Sequence, residues 1–272
     1  MHSVEEARTI ILRAVRRKAP EVIPFTDALA RVLAEDVTAD SPVPPFAQSA
    51  MDGFALRAAD ALSARPDQPI SLQILGTLGA GHLAAWALTP GTAIRIMTGA
   101  PLPEGADAVV KREDTEVSAE GVRIFHPARP NDHIIPPGRD IPMGALLLRR
   151  GEVLTPGALG LLASLGRTQV RVYQRPQVAV LALGDELVPP EAPLGPGQIR
   201  VSNLYAIAAS VAKYGGQAHN LGIARDHLDT IQRALAQASD ADLLVTLGGS
   251  QRGDFDLVDD LLSGERRSAW GA

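Results

Sequence analysis

From residue 176 onward the sequence alternates strand and helix signals, and this constrains the fold more than any other feature. QVAVLAL at 177–183 is a continuous apolar run, as expected for a strand covered on both faces. A helical pattern at about 203–214 follows, closed by Gly215-Gly216. A strand at about 217–223, a helix at 227–238, the strand DLLVTL at 242–247 and a helix at about 255–262 complete the series. Strand–helix–strand units joined by right-handed crossovers make an open parallel sheet. Three strands are visible, fewer than such sheets usually hold, so the sheet reads as incomplete.

The preceding residues follow other patterns. Residues 3–17 read as a helix: Ser3 and Glu6 form an S-x-x-E capping box, and Val4, Ala7, Ile10, Ile11, Ala14 and Val15 recur at helical spacing. Pro20 stops it, and a short helix at about 27–34 is predicted after Thr26. SPVPPF at 41–46 must be extended and marks a boundary. Between 50 and 140, short strand-like runs (ISLQIL, TAIRIM, DAVVKRE, GVRIF) are separated by glycine and proline, with one helix near 56–63. GALLLRR reads as a strand. Thr155-Pro156 starts a helix that Gly166 ends, and VRVY at 170–173 is another strand. The expected architecture is therefore multi-domain α/β plus mostly-β. Residues 1–40 and 139–174 would form a discontinuous helical and extended region. Residues 41–138 would form an inserted mostly-β domain, and 175–272 an incomplete three-layer α/β domain.

Composition excludes several function classes. No cysteine is present among the 272 residues, so disulfides, thiolate-ligated metals and a thiol nucleophile are ruled out. A net charge of −5 argues against a nucleic-acid partner, which demands a basic footprint. The longest apolar run is about seven residues, against about 20 for a membrane span. MHSVEEART lacks the apolar core of a signal peptide, and a cytoplasmic protein is expected. The six histidines fall into no H-x-x-x-H spacing, and there is no G-x-S-x-G elbow, so zinc and serine hydrolases are disfavoured.

Open parallel sheets bind ligands at the carboxyl ends of their strands. Gly184-Asp185-Glu186 follows the first strand, and Asp226 follows the second. Gly248-Gly249-Ser250-Gln251-Arg252-Gly253 follows the third, with Asp256 just beyond. Glycines let backbone N–H groups approach a phosphate. Carboxylates beside a phosphate require a divalent cation between them, usually Mg²⁺. The edge therefore reads as a magnesium–phosphate site. The competing reading makes these residues helix caps and solvated loops. A second acidic and hydroxyl set lies in the β segment: Ser49, Asp52, Thr98 and Asp107, with Asp140 just after. Asp52-Gly53 is also a turn signal.

Longer blocks carry a resemblance. PPFAQSAMDGFALR at 44–57 resembles the P-x-F-D-N-S-A-M-D-G-Y-A signature of the MoeA family of molybdopterin molybdenumtransferases, shared with the gephyrin E domain. RIMTGAPLPEGADAVVKRED at 95–114, GRDIPMGALLLRRGEVLTPGALGLLASLG at 138–166, VAVLALGDELVPP at 178–190 and the segment to LVTLGGSQRGDFDLV resemble further blocks in order. The resemblance implies insertion of molybdenum from molybdate into adenylylated molybdopterin with Mg²⁺ and release of AMP. It implies an elongated homodimer, with molybdopterin adenylyltransferase as pathway partner. It places Glu186, Asp226 and Asp256 at magnesium, and Ser49, Gly184, Asp185, Gly248, Gly249, Ser250 and Gly253 at substrate. Asp52, Thr98 and Asp140 line the facing wall as catalytic residues. A non-catalytic module of the same family, binding pterin or protein, is the alternative.

The sequence also departs from the family pattern. Ala47 stands for an aspartate, Ala182-Leu183 for Ser-Thr, Val201 for the aspartate of Asp-Ser-Asn, and Ser250-Gln251-Arg252 for Val-Ser-Val. Arg252 can partly replace the lost hydroxyls as a phosphate donor. Family chains continue with a P-G-K-P loop and a small C-terminal β domain, and SGERRSAWGA resembles neither, so a C-terminally truncated member is expected.

Overall fold

A computed structural model of the chain describes residues 3–248. In chain order, the helix α1 spans Val4–Ala14 and the strand β1 Pro20–Pro24. The strands β2 (Gly53–Leu56), β3 (Ile70–Leu78), β4 (Thr92–Ile96), β5 (Ala108–Lys111), β6 (Thr115–Ser118) and β7 (Gly121–Ile124) follow. Then come the helix α2 (Pro156–Ser164), β8 (Gln169–Tyr173), β9 (Gln177–Leu183), α3 (Asn203–Lys213), β10 (Gln217–Ala224), α4 (Leu228–Ala236) and β11 (Leu243–Leu247). The chain divides into two compact units. One holds residues 1–35, 151–159 and 169–272, and the other 36–150 and 160–168.

In the first unit the predicted sheet is present: β9 lies between β10 and β11, parallel to both. Its continuous apolar sequence has a physical cause, because alternate residues serve two cores. Val178, Val180 and Ala182 pack with Val201 and Leu204 on the α3 side. Leu181 and Leu183 pack with Ile231 and Ala234 of α4. Burial of a single leucine such as Leu181 stabilises by about 1.5–3 kcal/mol. β1 and β8 form a separate antiparallel ribbon in which Pro20 faces Tyr173.

Two helix predictions are corrected in this unit. α1 has the predicted capping box, but it ends at Ala14 because Val15 is already extended. The predicted helix at 27–34 is absent: a 3₁₀ turn covers Phe25–Asp27, and Ala30 has φ 60°. Val32 and Leu33 bridge Val153 and Val172 instead, and Leu33 is fully buried. Tertiary pairing has overridden helical spacing here.

The second unit is built on a six-stranded sheet of order β5-β2-β4-β3-β7-β6, antiparallel except for β3 with β4. β2 is buried throughout. Phe54 and Leu56 join one core with Val110 and Ile124, while Ala55 joins another with Ile94, Ile96 and Val109. The helix predicted near 56–63 is one turn, Ala58–Ala61. No described helix is long and apolar enough to cross a membrane.

Candidate functional site

β2 and the bend before it position the acidic group of the β-rich unit. The Asp52 carbonyl accepts a hydrogen bond from the Arg112 N–H at 3.0 Å, which ties the bend to the residue after β5. Asp52 Oδ1 then accepts from both the backbone N–H and the hydroxyl of Thr98, each at 2.8 Å. Those two bonds, the backbone one first, with the charges of Arg112 and Arg95, hold the Asp52 carboxyl below its ordinary value. Asp52 and Thr98, 46 residues apart, were read from the sequence as members of one set, and the fold joins these two into a solvent-facing pair.

The neighbouring predictions fare differently. Ser49 is fully buried, and its hydroxyl donates to the Met51 carbonyl at 2.6 Å, so it shapes the turn that delivers Asp52. Asp107 accepts from the Ala58 N–H at the start of the Ala58–Ala61 turn, a structural role rather than a place in the site. The Asp140 N–H donates to the Val43 carbonyl at 3.0 Å, and its exposed carboxylate forms no hydrogen bond or ion pair with a described residue.

In the α/β unit, β9 ends at Leu183 and the chain turns through Gly184 (φ 151°). The Glu186 carboxylate lies over Gly184, where a Cβ would come within 2.4 Å of Glu186 Oε2. The Glu186 carbonyl accepts from the Ile199 N–H at 2.9 Å, which begins the short parallel pairing of Leu187–Val188 with Ile199–Arg200. Asp185 turns the other way, and its Oδ1 accepts from the Asp226 N–H at 3.3 Å. Gly248 (φ 99°) fits closely, with a Cβ position 2.5 Å from the Leu183 carbonyl oxygen. No other residue fits there without moving the end of β9.

A cavity of about 390 Å³ opens at this edge, and Glu186, Arg200, Ser202, Asn203, Thr246 and Gly248 contribute polar groups to its lining. Ser202 is the N-cap of α3, yet its side chain makes no capping bond. Its hydroxyl and the first-turn N–H groups of α3 therefore remain available to an anion. Arg200 braces the loop by donating to the Pro190 carbonyl at 2.8 Å and the Ala192 carbonyl at 3.2 Å. The sequence reading left Ser202, Asn203 and Thr246 out of the site. The signal for the first two was present, as a serine before an apolar helical pattern.

Magnesium fits this edge on narrower terms than three carboxylates. Among the described residues no group of three or more histidines or acids is placed to hold a metal. Of the predicted ligands, Glu186 lines the cavity, and Asp226 does not. Asp256 lies outside the described residues, as do Gly249, Ser250, Gly253 and the helix predicted at 255–262. Mg²⁺ needs only one or two carboxylates when phosphate oxygens complete its shell. Glu186 in the wall of a cavity with room for a phosphate-bearing ligand meets that condition.

Comparison with known proteins places the fold in a family. Residues 2–166 match the family described as "MoeA N-terminal region (domain I and II)", and 179–266 match "Probable molybdopterin binding domain". The chain is 39% identical over 261 residues to molybdopterin molybdenumtransferase 2 of Mycobacterium tuberculosis, covering 96% of this chain and 64% of that one. It is 38% identical over 260 residues to the molybdopterin molybdenumtransferase of Bacillus subtilis, covering 94% and 60%. It thus spans less than two thirds of the length of these relatives. The crystal structure of a molybdopterin biosynthesis MoeA protein from Pyrococcus horikosii superposes with a TM-score of 0.84 at 33% identity, covering 96% of this chain and 67% of that one. With both halves matched in order, and with the Asp52–Thr98 pair and the Glu186 cavity formed from the blocks that match, this chain belongs to the MoeA family.

Proposed function

We propose that the chain works in molybdenum cofactor biosynthesis as a molybdopterin molybdenumtransferase. Its substrates would be adenylylated molybdopterin and molybdate, and AMP would be released. The observation that carries the reading is the Glu186 cavity at the carboxyl edge of β9 and β11, with the uncapped start of α3 in its wall. There the α3 N–H groups and Ser202 bind phosphate oxygens, and Glu186 takes the metal side of a magnesium–phosphate pair. Mg²⁺, when bound, neutralises charge on the phosphates.

Asp52, ionised at neutral pH like any exposed aspartate, is held in that form by the two Thr98 bonds, so it acts as a fixed anion. Thr98 fixes its orientation. Asp140 offers a further carboxylate free of partners among the described residues. A homodimer belongs to the same proposal. α1 buries none of its residues, and Val4, Ile11, Leu12 and Val15 are more than half exposed, which gives a second copy an apolar face to cover. Molybdopterin adenylyltransferase is the proposed source of the substrate.

The test is calorimetric titration of the chain with adenylylated molybdopterin, with and without Mg²⁺. Binding should strengthen with Mg²⁺, and Glu186→Gln should weaken it by about tenfold or more. Affinity indifferent to both changes would refute the assignment.

A further inference from the structure

The α/β unit carries a second cavity at the opposite edge of its sheet. It opens at the amino end of β9, where Gln174, Arg175 and Pro176 lead into the strand, beside the C-terminal end of α3. Its volume is about 480 Å³. All its walls come from the same compact unit. β9 has seven residues, and at about 3.3 Å each the two edges lie roughly 20 Å apart.

The charges on this cavity are one-sided. Arg31, Arg175 and Lys213 line it, and no acidic residue does so among those described. Arg31 is only 9% exposed. It pairs with Glu21 and donates to the Tyr173 carbonyl at 2.8 Å, but its Nε is buried without a hydrogen-bond partner. That nitrogen is out of reach of solvent, so the Arg31 guanidinium serves as a fixed, Glu21-paired part of the wall. Arg175 forms no hydrogen bond or ion pair among the described residues, and the Lys213 ammonium rests 5.6 Å from the centre of the Tyr214 ring with no carboxylate beside it. Glu21 balances Arg31, so two positive charges remain unmatched. The rest of the wall is apolar or aromatic, chiefly Val32, Val153 and Tyr214.

Two unmatched cations select a dianion, and a wall of Val32, Val153 and the Tyr214 ring suits a ligand with a flat apolar body. We propose that this cavity binds an aromatic phosphate monoester. Arg175 and Lys213 take the phosphate, which carries close to two charges at neutral pH. The ring lies against Val32, Val153 and Tyr214. The site is independent of the reaction edge, so it can be filled while the Glu186 cavity is also occupied.

The experiment is calorimetric titration of the chain with phenyl phosphate, benzoate, inorganic phosphate and phenol. Phenyl phosphate should bind with a Kd on the order of 1 mM or below. Benzoate and inorganic phosphate should each bind about tenfold more weakly, and phenol not measurably. The double variant Arg175→Ala/Lys213→Ala should lose about tenfold or more in affinity, while Arg175→Lys, which keeps the charge and guards against misfolding, loses less. Glu186→Gln should leave the affinity unchanged. Phenyl phosphate binding that survives the double variant would overturn the proposal. So would inorganic phosphate binding as tightly as phenyl phosphate, or sensitivity to Glu186→Gln, which would move the ligand to the reaction edge.

Discussion

Gly53→Ala tests whether the Asp-Gly pair of the signature block is packing rather than a loose turn. Gly53 opens β2 and pairs with Lys111 of β5 on one side and Ile96 of β4 on the other. A Cβ on Gly53 would sit 2.0 Å from the Val110 carbonyl oxygen and 2.9 Å from its carbon. Ordinary contact begins near 3.4 Å, so β5 must retreat by more than an ångström along a ladder whose residues fill two cores. Backbone atoms cannot swing aside as a side chain can. Overpacking of this kind costs about 3 kcal/mol or more, and the melting temperature should fall by roughly 10 °C. Gly160→Ala is the control. Gly160 lies within α2 with nothing inside 4 Å of its Cβ position, so alanine should raise stability by about 0.5–1 kcal/mol. Thermal unfolding followed by circular dichroism measures both variants. A Gly53→Ala protein melting within a degree or two of the parent would refute the packing argument.

Four further outcomes are expected. Asp52→Asn should lower turnover by about a hundredfold or more while leaving the melting temperature nearly unchanged, as rate assays beside unfolding curves will show. Burial raises the Asp242 carboxyl, but the Lys18 ammonium at 2.7 Å and the Gln177 N–H outweigh it and hold it below its ordinary value. Its contribution is therefore present above about pH 4 and lost as the pH falls through the lower folded value, so Asp242→Asn should flatten the acid limb of a stability–pH curve. Gly248→Ala should weaken binding of adenylylated molybdopterin about tenfold or more in a titration, because its Cβ would displace the Leu183 carbonyl at the cavity. Ile11→Glu should shift the chain toward monomer in light scattering after gel filtration, with its helix content retained.

The α/β unit was legible because burial on two faces leaves a mark in sequence: Val178, Val180 and Ala182 feed one core, Leu181 and Leu183 the other, so the run has no polar break. The S-x-x-E box and Thr155-Pro156 were legible for the same local reason, since a cap is satisfied within four residues. The segment 27–34 was misread because Leu33 finds its partner at Val172, far along the chain, and spacing carries no record of that pairing. The site was legible as a set of residues but not as an arrangement. Asp52 and Thr98 were each named, yet only the fold shows that one carboxylate oxygen receives both Thr98 groups. Ser49 looked like a ligand and proved to be a buried turn former. Glu186 and Asp226 both follow strands, but the turn at Gly184 brings Glu186 to the cavity while the Asp226 backbone is engaged with Asp185.

The most direct test of the account is AMP release from adenylylated molybdopterin by the purified chain, with molybdate and Mg²⁺ added or withheld in turn. The account predicts release that needs both ions and falls by about a hundredfold or more in Asp52→Asn and in Glu186→Gln. Release that ignores molybdate, or that persists in both variants, would contradict it.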